Sequence, residues 1–239
     1  MNLIILFDKD FISADRVQLS DRRHQHILSI HRAQVGEQLN VGLLNGQLGH
    51  AMVESINRTN VTLAITLDKT PPTALALSLI LALPRPKMLK RILQTCATMG
   101  VKDITLLNSY RVEKSYWQTP LLETNAIHEA LILGLEQGKD TLLPNITIEK
   151  RFKPFVEDRL PALCQRTNDT LALVAHPSGT QTCPISVTQA VTLVVGPEGG
   201  FTPYEIEKLQ AAGCQCVTLG ERILRVETAI PVLLARLFT

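Results

Sequence analysis

No apolar run in this chain is long enough to cross a bilayer. The longest, ALALSLILAL at 74–83, falls well short of the roughly 20 residues a transmembrane helix needs. The opening MNLIILFDKDF carries no basic stretch and too short an apolar run for an export signal. The chain is therefore expected to be soluble and cytoplasmic. Cysteine is scarce and unpatterned: Cys96, Cys164, Cys183, Cys214 and Cys216 make an odd number at scattered spacings. The single C-x-C has no second pair and no nearby histidine, so spacing supports no metal site. Reduced, buried thiols of a cytosolic protein fit better. Charge of one sign is not in excess either. There are 24 Lys/Arg against 22 Asp/Glu, a net +2 with pI near 8.3, which does not by itself mark a nucleic-acid binder. Internal repeats and low-complexity tracts are absent. What remains is a chain of 239 residues, 45% apolar and 19% charged. It can fill the core of one large domain or two modest ones.

The pattern changes near KTPPTA (69–74), where paired prolines stop a strand. Residues 1–70 are β-rich, with seven Lys/Arg and seven Asp/Glu. Asn45-Gly46 predicts a hairpin with a type I′ turn. Beyond 74, strand-like runs at 75–83, 103–107, 170–175, 191–195 and 215–219 alternate with helical periodicity. Leu89, Ile92, Leu93 and Cys96 share one helical face, as do Ile230, Leu233, Leu234 and Leu237. Alternating strands and helices predict an α/β domain with a mostly parallel sheet. Pro231 is compatible with the last helix only in its first turn.

One turn stands out. LVVGPEGGFTPYEIEKLQAAG (193–213) runs from an apolar strand into Gly-Pro-Glu-Gly-Gly and then a helix. Thr202, Pro203 and Glu205 explain the helix start as N-cap, first-turn proline and capping box, and Gly213 explains its end. They leave Gly196, Gly199 and Gly200 unexplained. An ordinary strand-to-helix turn uses glycine too. Alternatively, bare backbone admits a small molecule at the carboxyl ends of parallel strands. The turn is neither G-x-G-x-x-G nor a P-loop, and Glu198 within it disfavours phosphate. Arg222 and Arg225 precede the last helix, where cations are unfavourable without an anionic partner; Glu227 is the simplest candidate.

Together, GPEGGFTPYEIE (196–207) and LGERILRVETA (219–229) resemble the RsmE family of 16S rRNA uracil-N3 methyltransferases, within the SPOUT superfamily. His26, Arg32, Gly36, Met99-Gly100-Val101, Glu136-Gln137, Pro144 and His176-Pro177 extend the resemblance over essentially the whole chain. It implies a small PUA-like β-barrel at 1–70 and a SPOUT α/β domain at 74–239 with a C-terminal trefoil knot, a known exception to the rule against threaded loops. It implies S-adenosylmethionine (SAM) as cofactor and the small ribosomal subunit as partner, with a homodimer formed through the knotted region. Three loops would hold SAM: His176 and Pro177; Gly196, Pro197, Glu198, Gly199 and Gly200; Leu219, Gly220, Ile223, Leu224 and Arg225. Arg225 or Arg222 would meet the charge on the uracil, and Glu198 is a further catalytic candidate.

For RNA, no Asp or Glu lies between Lys69 and Lys102. Arg85, Lys87, Lys90 and Arg91 gather at the start of the 88–99 helix, against its dipole, which suits a phosphate partner. His26 and Arg32 are weaker candidates, explained as well by ordinary surface. The chain departs from the family pattern at Thr95 and Thr98, at Asp140 and in Ser29-Ile30-His31-Arg32. These changes leave a second reading: an RNA- or ribosome-binding protein of the same fold, with another target or without turnover.

Overall fold

In the computed structural model of the chain, residues 2–239 are described. They form two compact units. The first runs through Thr73 and also takes in Leu131–Leu143, a segment that the sequence pattern alone groups with 74–239. Its strands are β1 (Ile4–Leu6), β2 (Phe11–Ser13), β3 (Arg16–Leu19), β4 (Gln38–Leu43), β5 (Leu48–Ile56) and β6 (Val61–Lys69). They make one sheet in the order β1-β4-β5-β6-β3-β2, antiparallel except for β1 on β4. Alternation sets the buried face: in β3, Val17 and Leu19 are buried while Arg16 and Gln18 are exposed, as a period of two requires. The hairpin at Asn45 forms, but not as the expected I′ turn. Only Asn45 of the pair has positive φ, 58°, and the Gly46 amide donates back to the Leu43 carbonyl at 2.8 Å.

Polar links complete this unit. The Asn45 side chain accepts from the Leu143 amide at 2.9 Å, and the Thr141 hydroxyl donates to the Gly46 carbonyl. The short helix α1 (Arg22–His26) begins at Asp21, whose carboxylate accepts from the Arg23 amide. Arg23 is buried and forks onto Asp10 at 2.6 and 2.9 Å, with a third bond to the Ile5 carbonyl at 2.7 Å. Bidentate pairing of this kind keeps a desolvated guanidinium tolerable. His24 is also buried, its Nε2 lying 2.9 Å from the Asn57 carbonyl.

The second unit, Ala74–Ala130 with Pro144–Thr239, is a parallel α/β layer. Its strands are β7 (Leu77–Ala82), β8 (Asp103–Leu107), β9 (Asn145–Glu149), β10 (Leu171–Ala175), β11 (Gln181–Thr182), β12 (Val191–Val195) and β13 (Gln215–Thr218). The order is β11-β13-β10-β12-β7-β8-β9, every pair parallel. The helices are α2 (Pro86–Thr98), α3 (Thr124–Gly138), which passes into the first unit's segment, α4 (Phe152–Pro154), α5 (Leu160–Cys164), α6 (Pro203–Ala211) and α7 (Val226–Phe238). Leu89, Ile92, Leu93 and Cys96 form the buried face of α2, as their spacing predicts.

One expectation about α7 needs correction. Pro231 lies inside the helix, beyond its first turn, so it leaves the Glu227 carbonyl without its usual amide partner. The apolar stripe Ile230, Leu233, Leu234 and Leu237 is buried within this chain and packs as core. It is not free to form a subunit interface. The five cysteines are free thiols, four of them buried. Burial pushes the Cys96 thiol up to about 12, where it is unreactive. Among the described residues, no helix is long and apolar enough to cross a membrane, and no group of three or more His, Cys, Asp or Glu could hold a metal ion.

Candidate active site

The helix α6 starts as its residues dictate. Thr202 accepts from the Glu205 amide at 3.3 Å, and Glu205 accepts from the Thr202 amide at 2.8 Å. Pro203 occupies the first turn. Gly213 ends the helix with φ 106°, and the Cys214 amide donates back to Leu209. Strand β12 and helix α6 are thus held on both sides of the Gly196–Gly200 turn. Within it, the Gly200 amide donates to the Pro197 carbonyl at 2.8 Å, and Gly200 takes φ 70°.

Three neighbouring strands, β12, β10 and β13, end side by side. Their carboxyl ends release the Gly196–Gly200 turn, the His176-Pro177 loop and the Leu219–Arg225 loop, where open α/β sheets bind ligands. The three loops line one cavity of about 480 Å³. From the first two come His176, Pro177, Gly196, Pro197, Glu198, Gly199 and Gly200; from the third come Leu219, Gly220, Arg222, Ile223, Leu224 and Arg225. The structure therefore brings all the sequence-selected cofactor and catalytic candidates together. Val195, Val217, Ala229 and Leu233 add apolar wall.

The details revise several roles. A Cβ on Gly196 would meet the Phe201 ring at 3.2 Å, and one on Gly199 would meet the Arg111 side chain at 3.2 Å. These two glycines make room for protein side chains as much as for a ligand. Glu198 Oε1 accepts from the Arg85 amide at 2.9 Å. It thereby places a carboxylate at the start of α2, where the helix dipole favours it. Arg222 and Arg225 are both exposed, and among the described residues neither forms an ion pair with Glu227. The simple partner expected from sequence is thus not used.

Arg111 is the lining residue that sequence reasoning missed. It follows β8, and its Nη1 donates to the Gly199 carbonyl at 2.5 Å. The available signal was its position at the carboxyl end of a recognised strand. His176 sits beneath it. Its Nδ1 accepts from the Ser178 amide at 3.2 Å and lies 2.7 Å from the Ser178 hydroxyl. Partial burial holds the His176 pKa below the usual histidine value; contact with the Phe201 backbone opposes this, and the Arg111 charge reinforces it. A lowered folded-state pKa means the folded chain holds this proton more weakly than the unfolded one. The stability it contributes is present above the unfolded pKa of about 6.5. It is lost as pH falls through that value to the lower folded one. Urea midpoints at about pH 7.5 and about pH 5.5 should fall further for the native chain than for His176→Asn. Equal falls would mean His176 carries no such linkage.

Arg85, Lys87, Lys90 and Arg91 are all exposed at the start of α2, and among the described residues none is in an ion pair. In the first unit, His26 packs edge-on against His31 with ring centroids 4.9 Å apart, and Arg32 is exposed at φ 53°. The departures from the family pattern lie outside the cavity lining. The Thr98 hydroxyl donates to the Gln94 carbonyl of its own helix, and Asp140 is buried, accepting from the Leu142 amide.

A parallel α/β sheet with a glycine-lined cavity at its strand ends is the arrangement by which α/β proteins bind small molecules. Residues 71–238 match the model of the RNA methyltransferase domain family, and the chain belongs to that family. The resemblance to RsmE is borne out by its relatives. Ribosomal RNA small subunit methyltransferase E of Treponema pallidum is 29% identical over 230 residues, covering 95% of this chain and 86% of that protein. Ribosomal RNA small subunit methyltransferase E 1 of Borreliella burgdorferi is 25% identical, covering 96% and 94%. Among solved structures, the small subunit methyltransferase E of Neisseria gonorrhoeae, bound to S-adenosylmethionine, superposes with a TM-score of 0.73. It covers 98% of this chain and 95% of its own at 23% identity, a likeness of fold.

Proposed function

We propose that this chain is an S-adenosylmethionine-dependent methyltransferase acting on N3 of a uridine in 16S rRNA of the small ribosomal subunit. The observation that carries the proposal is the convergence of three adjacent strand-end loops on one cavity. Its volume lies within the ~300–1,000 Å³ usual for small-ligand sites. Its walls suit the cofactor: apolar side chains for the adenine face, and exposed backbone at the glycine turn for its polar edges. We read the first unit as PUA-like, which fits its six-stranded sheet. We read the C-terminal part as a trefoil knot. In support, β13 lies between β10 and β11, and the segment after β11 is tied to the end of α7. There Ser186 and Val187 amides donate to Arg236 and Leu237 carbonyls at 2.9 and 2.7 Å. A homodimer belongs to the same reading. With the apolar stripe of α7 buried, it would use the outer side of that helix, where Val232 is 40% exposed. Action on ribosomal subunits implies the cytoplasm.

The cofactor, when bound, supplies a methyl group on a sulfonium and so needs no further activation. The residues must align uracil N3 with it, which is worth roughly 7–11 kcal/mol. They must also receive the charge left when N3 loses its proton; the products are 3-methyluridine, S-adenosylhomocysteine and that proton. Arg225, or Arg222 beside it, donates to a uracil carbonyl oxygen as this charge develops. Glu198 holds the turn against α2 and is assigned no proton transfer. The target must be unpaired to expose its pairing edge. The exposed Arg85, Lys87, Lys90 and Arg91 hold its backbone phosphates; His26 and Arg32 are the first unit's own candidates for RNA contact. The alternative of a silent binder draws no support from the cavity, because every candidate there is present.

The test is methyl transfer from labelled cofactor to small subunits prepared from cells lacking this protein, with nucleosides identified by mass. Appearance of 3-methyluridine is the expected result. A different methylated nucleoside, or none, overturns the reading.

A further inference from the structure

Uracil N3 lies between two carbonyl groups, so the charge left by its proton divides between two oxygens. One guanidinium serves only one of them. Arg222 and Arg225 approach from a single loop, and both are exposed, with no ion pair among the described residues. Arg111 enters the same cavity from the far side of the glycine turn. It is pinned where the other two are not. Its Nη1 donates to the Gly199 carbonyl, and its stem lies over Gly199 so closely that a Cβ there would sit 3.2 Å from Cδ. The backbone beneath is equally fixed. The Tyr110 amide donates to Glu205 Oε1 at 2.8 Å, and the Val112 amide donates to the Ser109 carbonyl at 3.1 Å. Asn108 accepts from Trp117 Nε1 at 2.9 Å.

A guanidinium has five donors, and one of Arg111's is used on Gly199. Glu198, the carboxylate of the lining, already accepts the Arg85 amide. Arg111 is exposed, and its free donors are open to an anionic oxygen, of which two are on offer: the cofactor's carboxylate and the charge that develops on the uracil. A preorganised donor aimed at developing charge is the most effective kind, because it does not reorganise during reaction.

We propose that Arg111 is a second catalytic guanidinium: it clamps the glycine turn through Gly199 and turns its remaining donors on the uracil carbonyl oxygen that Arg225 does not reach. The assignment rests on the uridine-N3 reading above. It requires Gly199 to stay without a side chain, which explains that glycine.

The test compares full-length native chain, R111K and R111A on unmethylated small subunits. Turnover is measured against pH, and cofactor affinity by calorimetry. R111A should lose about 100-fold in kcat at neutral pH, with cofactor affinity little changed. The deficit should shrink as pH rises, since alkali removes the N3 proton without help. R111K, which keeps the charge and loses the fork, should fall between. A deficit constant across pH would mean Arg111 only holds the turn. A loss confined to cofactor affinity would assign it to the cofactor's carboxylate. Either overturns the proposal. A native chain that forms no 3-methyluridine sinks the underlying reading as well, whereas an active native chain with an unimpaired R111A sinks only the role of Arg111.

Discussion

Gly200→Val should abolish cofactor binding while the chain stays folded. Gly200 sits at φ 70°, a conformation that β-branched residues essentially do not adopt. Forcing it stores about 1–3 kcal/mol of strain. The added Cβ would lie 3.4 Å from His176 Nε2 and 3.9 Å from Arg111 Nη1. Its two methyl groups must then press on two residues that line the cavity. The turn can relieve both only by giving up the bond between the Gly200 amide and Pro197. Three changes of this size at one lip should cost at least a hundredfold in affinity, about 2.7 kcal/mol. In thermal denaturation, S-adenosylmethionine at about 100 times its dissociation constant stabilises the native chain by about 2.7 kcal/mol. The variant should gain no more than about 0.4 kcal/mol at the same concentration. Near-native affinity would mean that the turn does not form the binding surface. Gly199→Val should displace the Arg111 side chain, which a Cβ there meets at 3.2 Å, and so should lower kcat in the manner of R111A with cofactor affinity little changed.

Arg225→Ala should lower kcat by about 10²–10³ and leave cofactor affinity nearly intact. Arg225 is the N-cap residue of α7, and its carbonyl accepts from the Thr228 and Ala229 amides at 2.9 and 2.7 Å. Alanine keeps that carbonyl. No side-chain cap is present to be lost, so the helix start should survive. What disappears is an exposed guanidinium at the cavity edge. Single-turnover methylation and calorimetry, run side by side, separate the two effects. Matching losses in both would move Arg225 from the uracil to the cofactor.

Much of the parallel sheet is legible in the sequence. The five strands recognised from their apolar runs are the inner ones, β7, β8, β10, β12 and β13. The two that went unrecognised, β9 and β11, are the edges. The reason is burial. A strand covered on both faces, such as β7 or β12, is buried throughout and apolar at all but one position, whereas β9 reads Asn-Ile-Thr-Ile-Glu with two exposed positions. The stretch around His26 misleads in the opposite sense. His24 looks like its surface neighbours, yet it is fully buried because a carbonyl 33 residues away meets its ring.

The sequence by itself determined whatever is satisfied within a few residues. The capping box at Thr202 and Glu205, the glycine that ends α6 and the buried face of α2 follow from local hydrogen bonding and helical period. Tertiary structure alone decided which distant groups complete the site. Arg111 reaches Gly199 across 88 positions, and Glu198 reaches Arg85 across 113. Both links exist because β8, β7, β12, β10 and β13 lie in that order with their carboxyl ends together. Strand order is a property of the packed sheet. No local pattern records it, because each strand's residues specify that it is buried and not which strand lies beside it.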